Sequence, residues 1–129
     1  MPEPRLLVNT DVMIEYLRGA DKVVAFLESL ERRPATSVLC TAELLAGARD
    51  EEECNVIRQF LLAFDELAVD AEVARVGGEY RRIYMKSHNT GLADALIAAT
   101  AAHHNLTLAT FNVRHFPMLE NVLVPYQRD

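Results

Sequence analysis

Apolar positions recur along this chain in two rhythms. Short runs at 6–8, 35–39, 64–69, 106–109 and 122–124 are too brief for helices and read as strands. Between them, apolar residues return at helical spacing: Val12, Met13, Tyr16 and Leu17; Val23, Val24, Phe26, Leu27 and Leu30; then an alanine- and leucine-rich stretch at 40–48. Val56, Ile57, Phe60, Leu61 and Leu62 make the stripe of a fourth helix, and Val73, Val76, Tyr80, Ile83 and Tyr84 are core candidates on a long fifth. The sixth, around Leu92, Ala95, Leu96, Ala98, Ala99 and Ala102, is nearly apolar all round and belongs at the centre. Asp11, Asp21 and Asp70 stand where each can cap a helix, and Gly19, Pro34 and the polar stretch 87–91 punctuate the pattern. The order β-α-α-β-α-α-β-α-α-β-α-β predicts an α/β fold, a three-layer α/β/α domain with a mainly parallel central sheet. No linker, repeat or low-complexity run interrupts it, so residues 1–129 are expected to form a single domain.

Composition narrows the setting. Cys40 and Cys54 are the only cysteines and lack metal-ligand or CxxC spacing, which suits a reducing compartment. Residues 2–5 and the three apolar residues after them are too short for a signal peptide, and no apolar run reaches membrane length; a cytoplasmic protein with no membrane partner is expected. The formal charge of -6 disfavours general nucleic-acid binding, whose affinity comes from cations on phosphates. Acids gathered around a divalent cation would produce the same balance while local arginines still met a phosphate backbone, and a basic partner would be attracted too.

The strand-to-helix corners carry the polar residues: Asn9 and Asp11, Glu43, Asp94, and the turn at 110–116. In an open parallel sheet such corners line the carboxyl edge, where ligand crevices form. Each acid has a plain structural role available: Asp11 as a cap, Glu43 as an exposed helix position, and Asp94 as a first-turn acid stabilised by ~0.3–1 kcal/mol from the helix dipole. Their combination points further. Carboxylates converging from separate helix starts repel one another unless a cation lies between them, and hard oxygen ligands suit Mg²⁺ or Mn²⁺. Such a site activates water and clamps a phosphodiester, which is nuclease chemistry. Arg18 and Arg114 flank the acidic corners and suit a phosphate or a carboxylate. Arg75, Arg81, Arg82 and Lys86 read as a solvated helix face, and His103 and His104 as cations at a helix C-terminus. Tyr16, Leu17, Leu44, Leu45, Phe60 and Leu61 exceed an obvious core; core placement is the default, with a partner face as the alternative.

Four ordered stretches, LVNTDVMIEYLRG at 7–19, SVLCTAELLAG at 37–47, DALIAATA at 94–101 and LATFNVRHF at 108–116, resemble the motifs of PIN-domain proteins, specifically VapC-type toxins. The likeness spans nearly the whole chain. It implies a PIN-like fold and a Mg²⁺- or Mn²⁺-dependent endoribonuclease acting on RNA. It further implies a homodimer held inactive by a VapB-type antitoxin, whose C-terminal segment enters the active-site groove and through which alone operator DNA is reached. Carried over by position, the family's metal-binding acids fall on Asn9, Glu43 and Asp94, the more variable last polar position on Asn112 or His115, and the supporting hydroxyls on Thr10 and Thr110. Asp11 stands beside them, and Arg18 and Arg114 become substrate or antitoxin contacts.

Here the sequence departs from the family, which ordinarily has aspartate at the first position. Asn9 keeps an oxygen ligand but removes one negative charge, so metal affinity and water activation are expected to fall, and Asn9→Asp is expected to raise metal-dependent RNA cleavage by orders of magnitude. The alternative is a catalytically inactive PIN-like module that binds antitoxin and acts in operon autoregulation. Asn9-Thr10-Asp11 after a strand also resembles the corner of haloacid-dehalogenase-like phosphatases, but an asparagine in the nucleophile's place cannot attack phosphorus.

Overall fold

Leu6, Leu7 and Val8 form the central strand because they are apolar on both faces, and a strand covered on both sides has no polar position to alternate with. The computed structural model describes residues 3–127. Its elements run β1 (Leu6–Val8), α1 (Thr10–Leu17), α2 (Asp21–Glu28), β2 (Ala35–Ser37), α3 (Val38–Ala46), α4 (Glu51–Leu61), β3 (Asp65–Leu67), α5 (Ala71–His88), α6 (Leu92–His103), β4 (Thr107–Ala109), a 3-10 turn (Val113–His115) and β5 (Val122–Leu123). The five strands lie in the order β3-β2-β1-β4-β5, every neighbouring pair parallel, with the helices flanking the sheet. The chain builds outward from β1 through β2 to β3, then returns to place β4 on the other side of β1. The switch in winding direction therefore lies between β1 and β4, the position at which open α/β sheets form a crevice beyond the strand ends.

Of the helix caps expected at Asp11, Asp21 and Asp70, only Asp70 forms one, and Asp50 caps a further helix. Asp50 and Asp70 accept from the backbone N–H groups of Glu53 and Val73, each at 2.9 Å. Two starts differ. Asn9, not Asp11, is the N-cap of α1, and Ala20, not Asp21, is that of α2. The second strand is shorter than 35–39, because the Ser37 hydroxyl accepts the Leu39 N–H at 3.1 Å and starts α3 at Val38.

The core also differs from the periodic reading in places. Val23, Ile57, Leu61 and Val73 are buried, whereas Val56, Leu62, Val76, Ile83 and Leu92 are exposed. Periodicity marks a helix face but not how much of it a neighbour covers, and α5 meets α6 at close range where Gly77 lies against Leu96. A Cβ at Gly77 would come within 2.5 Å of the Leu96 side chain and 3.1 Å of its Cα, so this close approach of α5 and α6 requires glycine. Tyr16 and Phe60 stack at 4.8 Å and Phe60 meets Phe64 edge-on at 5.0 Å; Leu44 and Leu61 are buried. These side chains belong largely to the packing of α1, α3 and α4. No helix among the described residues is long and apolar enough to cross a membrane.

Candidate active site

Beyond the ends of β1 and β4 the chain places Asn9 and Thr110 side by side, because the two strands are in register from Leu6 and Thr107 to Val8 and Ala109. Both residues are buried. The Asn9 Nδ2 donates to Thr110 Oγ1 at 3.2 Å, and the Thr110 hydroxyl donates to the Asp11 carboxylate, 3.1 Å from Oδ1 and 3.0 Å from Oδ2. Asp11 accepts in addition from the backbone N–H groups of Phe111 at 2.8 Å and Val12 at 3.0 Å. The backbone N–H of Asn112 donates to Thr110 Oγ1 at 3.1 Å, while the Asn112 residue itself is exposed. Asp11 therefore acts as the clasp between the start of α1 and the loop after β4, a larger structural role than the helix cap the sequence suggests.

A second contact joins α1 to α3. The Thr10 hydroxyl donates to Glu43 Oε1 at 2.7 Å, which orients an otherwise exposed carboxylate. A third joins α6 to the 3-10 turn: His115 Nδ1 lies 3.2 Å from Asp94 Oδ2, with both side chains about two-thirds buried at 33% and 29% exposure. Thr90, wholly buried, donates to the His115 carbonyl at 2.9 Å and so holds the turn that carries the imidazole.

These contacts communicate electrostatically. Burial pushes the Asp94 carboxyl above its ordinary value; His115 opposes this by its charge and hydrogen bond, and the Glu43 and Asp11 carboxylates push it further up. Asp94 therefore feels charges from three other segments of the chain, with burial the largest influence on it. Asn9 adds its side-chain oxygen: Oδ1 lies 3.9 Å from the buried Cys40 thiol, which burial keeps protonated by raising its pKa. Among the described residues no three of His, Cys, Asp and Glu gather as a metal-holding cluster. An amide stands at position 9, and Asp11 is turned toward Thr110 and the Phe111 N–H. Two carboxylates and one amide oxygen remain, a hard-oxygen donor set that fits a divalent ion with one negative charge fewer than three acids would supply.

Next to Glu43, α1, α3 and α4 enclose an open cleft of about 700 Å³. Leu17, Leu44 and Val56 give it apolar walls, and its charged residues are Arg18, Glu43 and the ion pair of Arg49 with Glu53 at 2.7 Å. Arg114 lies exposed on the 3-10 turn. Sequence reading did not single out Thr90, Arg49 or the contact of Cys40 with Asn9. Thr90 in a polar break carries no distinguishing pattern, and the closeness of Cys40 to Asn9 arises only when β2 pairs beside β1.

The PIN domain family model matches residues 6–119. Ribonuclease VapC10 of Mycobacterium tuberculosis is 43% identical over 124 residues, covering 94% of this chain and 92% of the relative. Among solved structures, a toxin-antitoxin complex from Klebsiella pneumoniae is similar with a TM-score of 0.82 at 26% identity, over 96% of this chain and 99% of that one. FitAB bound to an IR36 DNA fragment, whose toxin FitB is a Neisseria gonorrhoeae protein, gives a TM-score of 0.78 at 28% identity, over 96% and 97% of the two chains.

Proposed function

This chain belongs to the PIN-domain family, and on that footing we propose that it is a VapC-type toxin, an endoribonuclease dependent on Mg²⁺ or Mn²⁺ and restrained by a VapB-type antitoxin. The observation that carries the reading is the set of side-chain contacts at one sheet edge, Thr10 on Glu43, Thr110 between Asn9 and Asp11, and His115 on Asp94, with burial raising the cost of ionising Asp94 and the neighbouring acids adding to it. Asn9, Glu43 and Asp94 would hold the ion, with Asn112 as the outlying polar residue. When bound, the ion supplies a more acidic water and a charge that offsets the phosphodiester's. The chain's own residues do the remaining work. Thr10 fixes the Glu43 carboxylate, His115 holds Asp94 Oδ2, and Thr110 ties the two corners together. Arg18 at the cleft and Arg114 on the turn would hold phosphates of the RNA on either side of the acids.

The cleft beside Glu43 supports an antitoxin partner. Its apolar walls suit a helical or extended segment, and Arg18 suits a carboxylate on that segment, Arg49 being paired with Glu53. VapC10 is named a ribonuclease, and the Klebsiella structure is a toxin-antitoxin complex. The DNA in the FitAB structure supports operator DNA as a further contact of the complex, reached through the antitoxin. The exposed Val76 and Ile83 on α5 support a homodimer. Asn9 itself favours a second reading, an antitoxin-binding module without catalysis, because a neutral amide stands where the family has an acid.

Incubating the protein with total RNA, with Mg²⁺ or Mn²⁺ and with chelator, separates the two. Discrete fragments that require the metal and vanish in Asp94→Asn and Glu43→Gln support the ribonuclease. Intact RNA, together with copurification of a small basic protein, supports the module. Cleavage unaffected by both substitutions and by chelator removes this site from the reaction.

A further inference from the structure

The hydrogen-bond count around Thr110 fixes more than the loop. A hydroxyl has one proton and two lone pairs, and a carboxylate only accepts. Thr110 therefore gives its one proton to Asp11, and its lone pairs receive the Asn112 backbone N–H and the Asn9 Nδ2–H. Nothing remains on Thr110 to donate to Asn9. The side-chain amide of Asn9, 4% exposed, must face Thr110 with its nitrogen, which leaves Oδ1 on the opposite side, toward Cys40. An amide oxygen is a ligand for a hard divalent ion and an amide NH₂ is not.

We propose that Asp11 is a positioning residue: acting through Thr110, it sets the orientation of the Asn9 amide so that oxygen, not nitrogen, is offered to the metal. This inference rests on the metal-binding reading above. The relay tolerates one carboxylate, at position 9 or at position 11, and its polarity reverses with the choice. With aspartate at position 9 and asparagine at position 11, Thr110 donates to the first and accepts from the second. With aspartate at both positions, two carboxylates compete for one proton, and one of them faces a bare hydroxyl oxygen. With asparagine at both, the Thr110 proton is released from its carboxylate and is free to turn onto the oxygen of Asn9, presenting NH₂ to the ion.

The test is a four-member cycle: the parent, Asp11→Asn, Asn9→Asp and the double variant. Mn²⁺ affinity is followed by electron paramagnetic resonance, and melting temperature is measured without metal. Asp11→Asn is expected to weaken Mn²⁺ binding by about tenfold in the parent and to strengthen it in the Asn9→Asp variant. Without metal, the same substitution is expected to lower the melting temperature of the parent and to raise that of the Asn9→Asp variant. An Asp11 that merely braces the loop gives a loss in both backgrounds, and that result overturns the proposal. Should no member bind Mn²⁺, the metal reading fails, and with it the role of Asp11 in presenting a ligand; a reversal of melting temperature without metal would then show the relay alone. Should Mn²⁺ bind equally in all four, the relay fails while the metal reading stands.

Discussion

Replacing Thr110 by Val keeps the shape of the side chain and removes the hydroxyl on which three segments converge. The loss can be worked from the contacts. Asp11 keeps the Phe111 and Val12 N–H groups and is partly exposed, so water makes good part of what it loses. The Asn112 N–H sits in an exposed residue and rehydrates as well. The Asn9 Nδ2 does not, because Asn9 is almost wholly buried. One hydrogen bond to a charged group and one orphaned buried donor together amount to about 2–4 kcal/mol. A chain of this size loses about 4 °C of melting temperature per kcal/mol, so Thr110→Val is expected to melt roughly 8–16 °C below the parent.

Thr110→Ser is the control, since it retains the hydroxyl and forfeits one methyl worth about 1 kcal/mol. Differential scanning calorimetry on metal-free protein reads both. A Val variant melting within about 2 °C of the parent, or no better separated from it than the Ser variant, refutes the account of Thr110 as the hub of the corner.

Three further outcomes follow from other parts of the structure. The Asp94 carboxyl is raised by burial, so its ionisation is opposed more in the fold than in the unfolded chain; the stability of the parent relative to Asp94→Asn is expected to fall as pH rises from about 4 toward neutrality. Urea denaturation at a series of pH values checks this, and a pH-independent difference contradicts it. Gly77→Ala drives a methyl against Leu96 and its backbone, and is expected to destabilise by about 1–3 kcal/mol with no change of mechanism, read by denaturation and RNA cleavage in parallel. Arg18→Ala, made in a cleavage-deficient Asp94→Asn background, is expected to weaken binding of a short single-stranded RNA and to reduce the logarithmic salt slope by about 0.7, the value of one lost phosphate contact. Fluorescence anisotropy measures it, and an unchanged slope removes Arg18 from the RNA path.

The central strand was legible because a buried parallel strand is written as an unbroken apolar run, and Leu6, Leu7 and Val8 have no polar alternation to disguise them, whereas β2 (Ala35–Ser37) and β3 (Asp65–Leu67) carry polar residues and were marked only by β-prone residues and a weak alternation. The corner after β1 was legible for the same reason: its run stops abruptly on Asn9, Thr10 and Asp11. What the letters do not carry is direction. Asp11 and Asn9 are two positions apart and both fit a helix start, but only the pairing of β1 with β4 brings Thr110 to them and decides which one caps and which one clasps the loop. Val76 and Ile83 have the right period for burial yet are exposed, because period does not specify which part of a helix face its neighbour covers. Asp94 stood out for its apolar surroundings, while its partner His115, twenty-one positions on, becomes evident only through the turn that Thr90 anchors.

The placement of charge in this corner carries its own logic. A carboxylate at position 9 would be almost wholly buried, and without a cation it would need donors to offset its desolvation. Thr110 has one proton to give, already committed to Asp11, so an acid at position 9 would be left short of donors in the metal-free protein. At position 11 the same charge meets that hydroxyl and two backbone N–H groups and retains access to water. Locating the carboxylate at position 11 therefore favours the metal-free fold; on the metal-binding reading proposed above, locating it at position 9 would put the charge on a ligating oxygen, where it acts on the cation at the shortest range. On that same reading, stability without metal and affinity for metal are opposed at this pair of residues, and the Asn9/Asp11 arrangement is expected to favour stability over metal affinity.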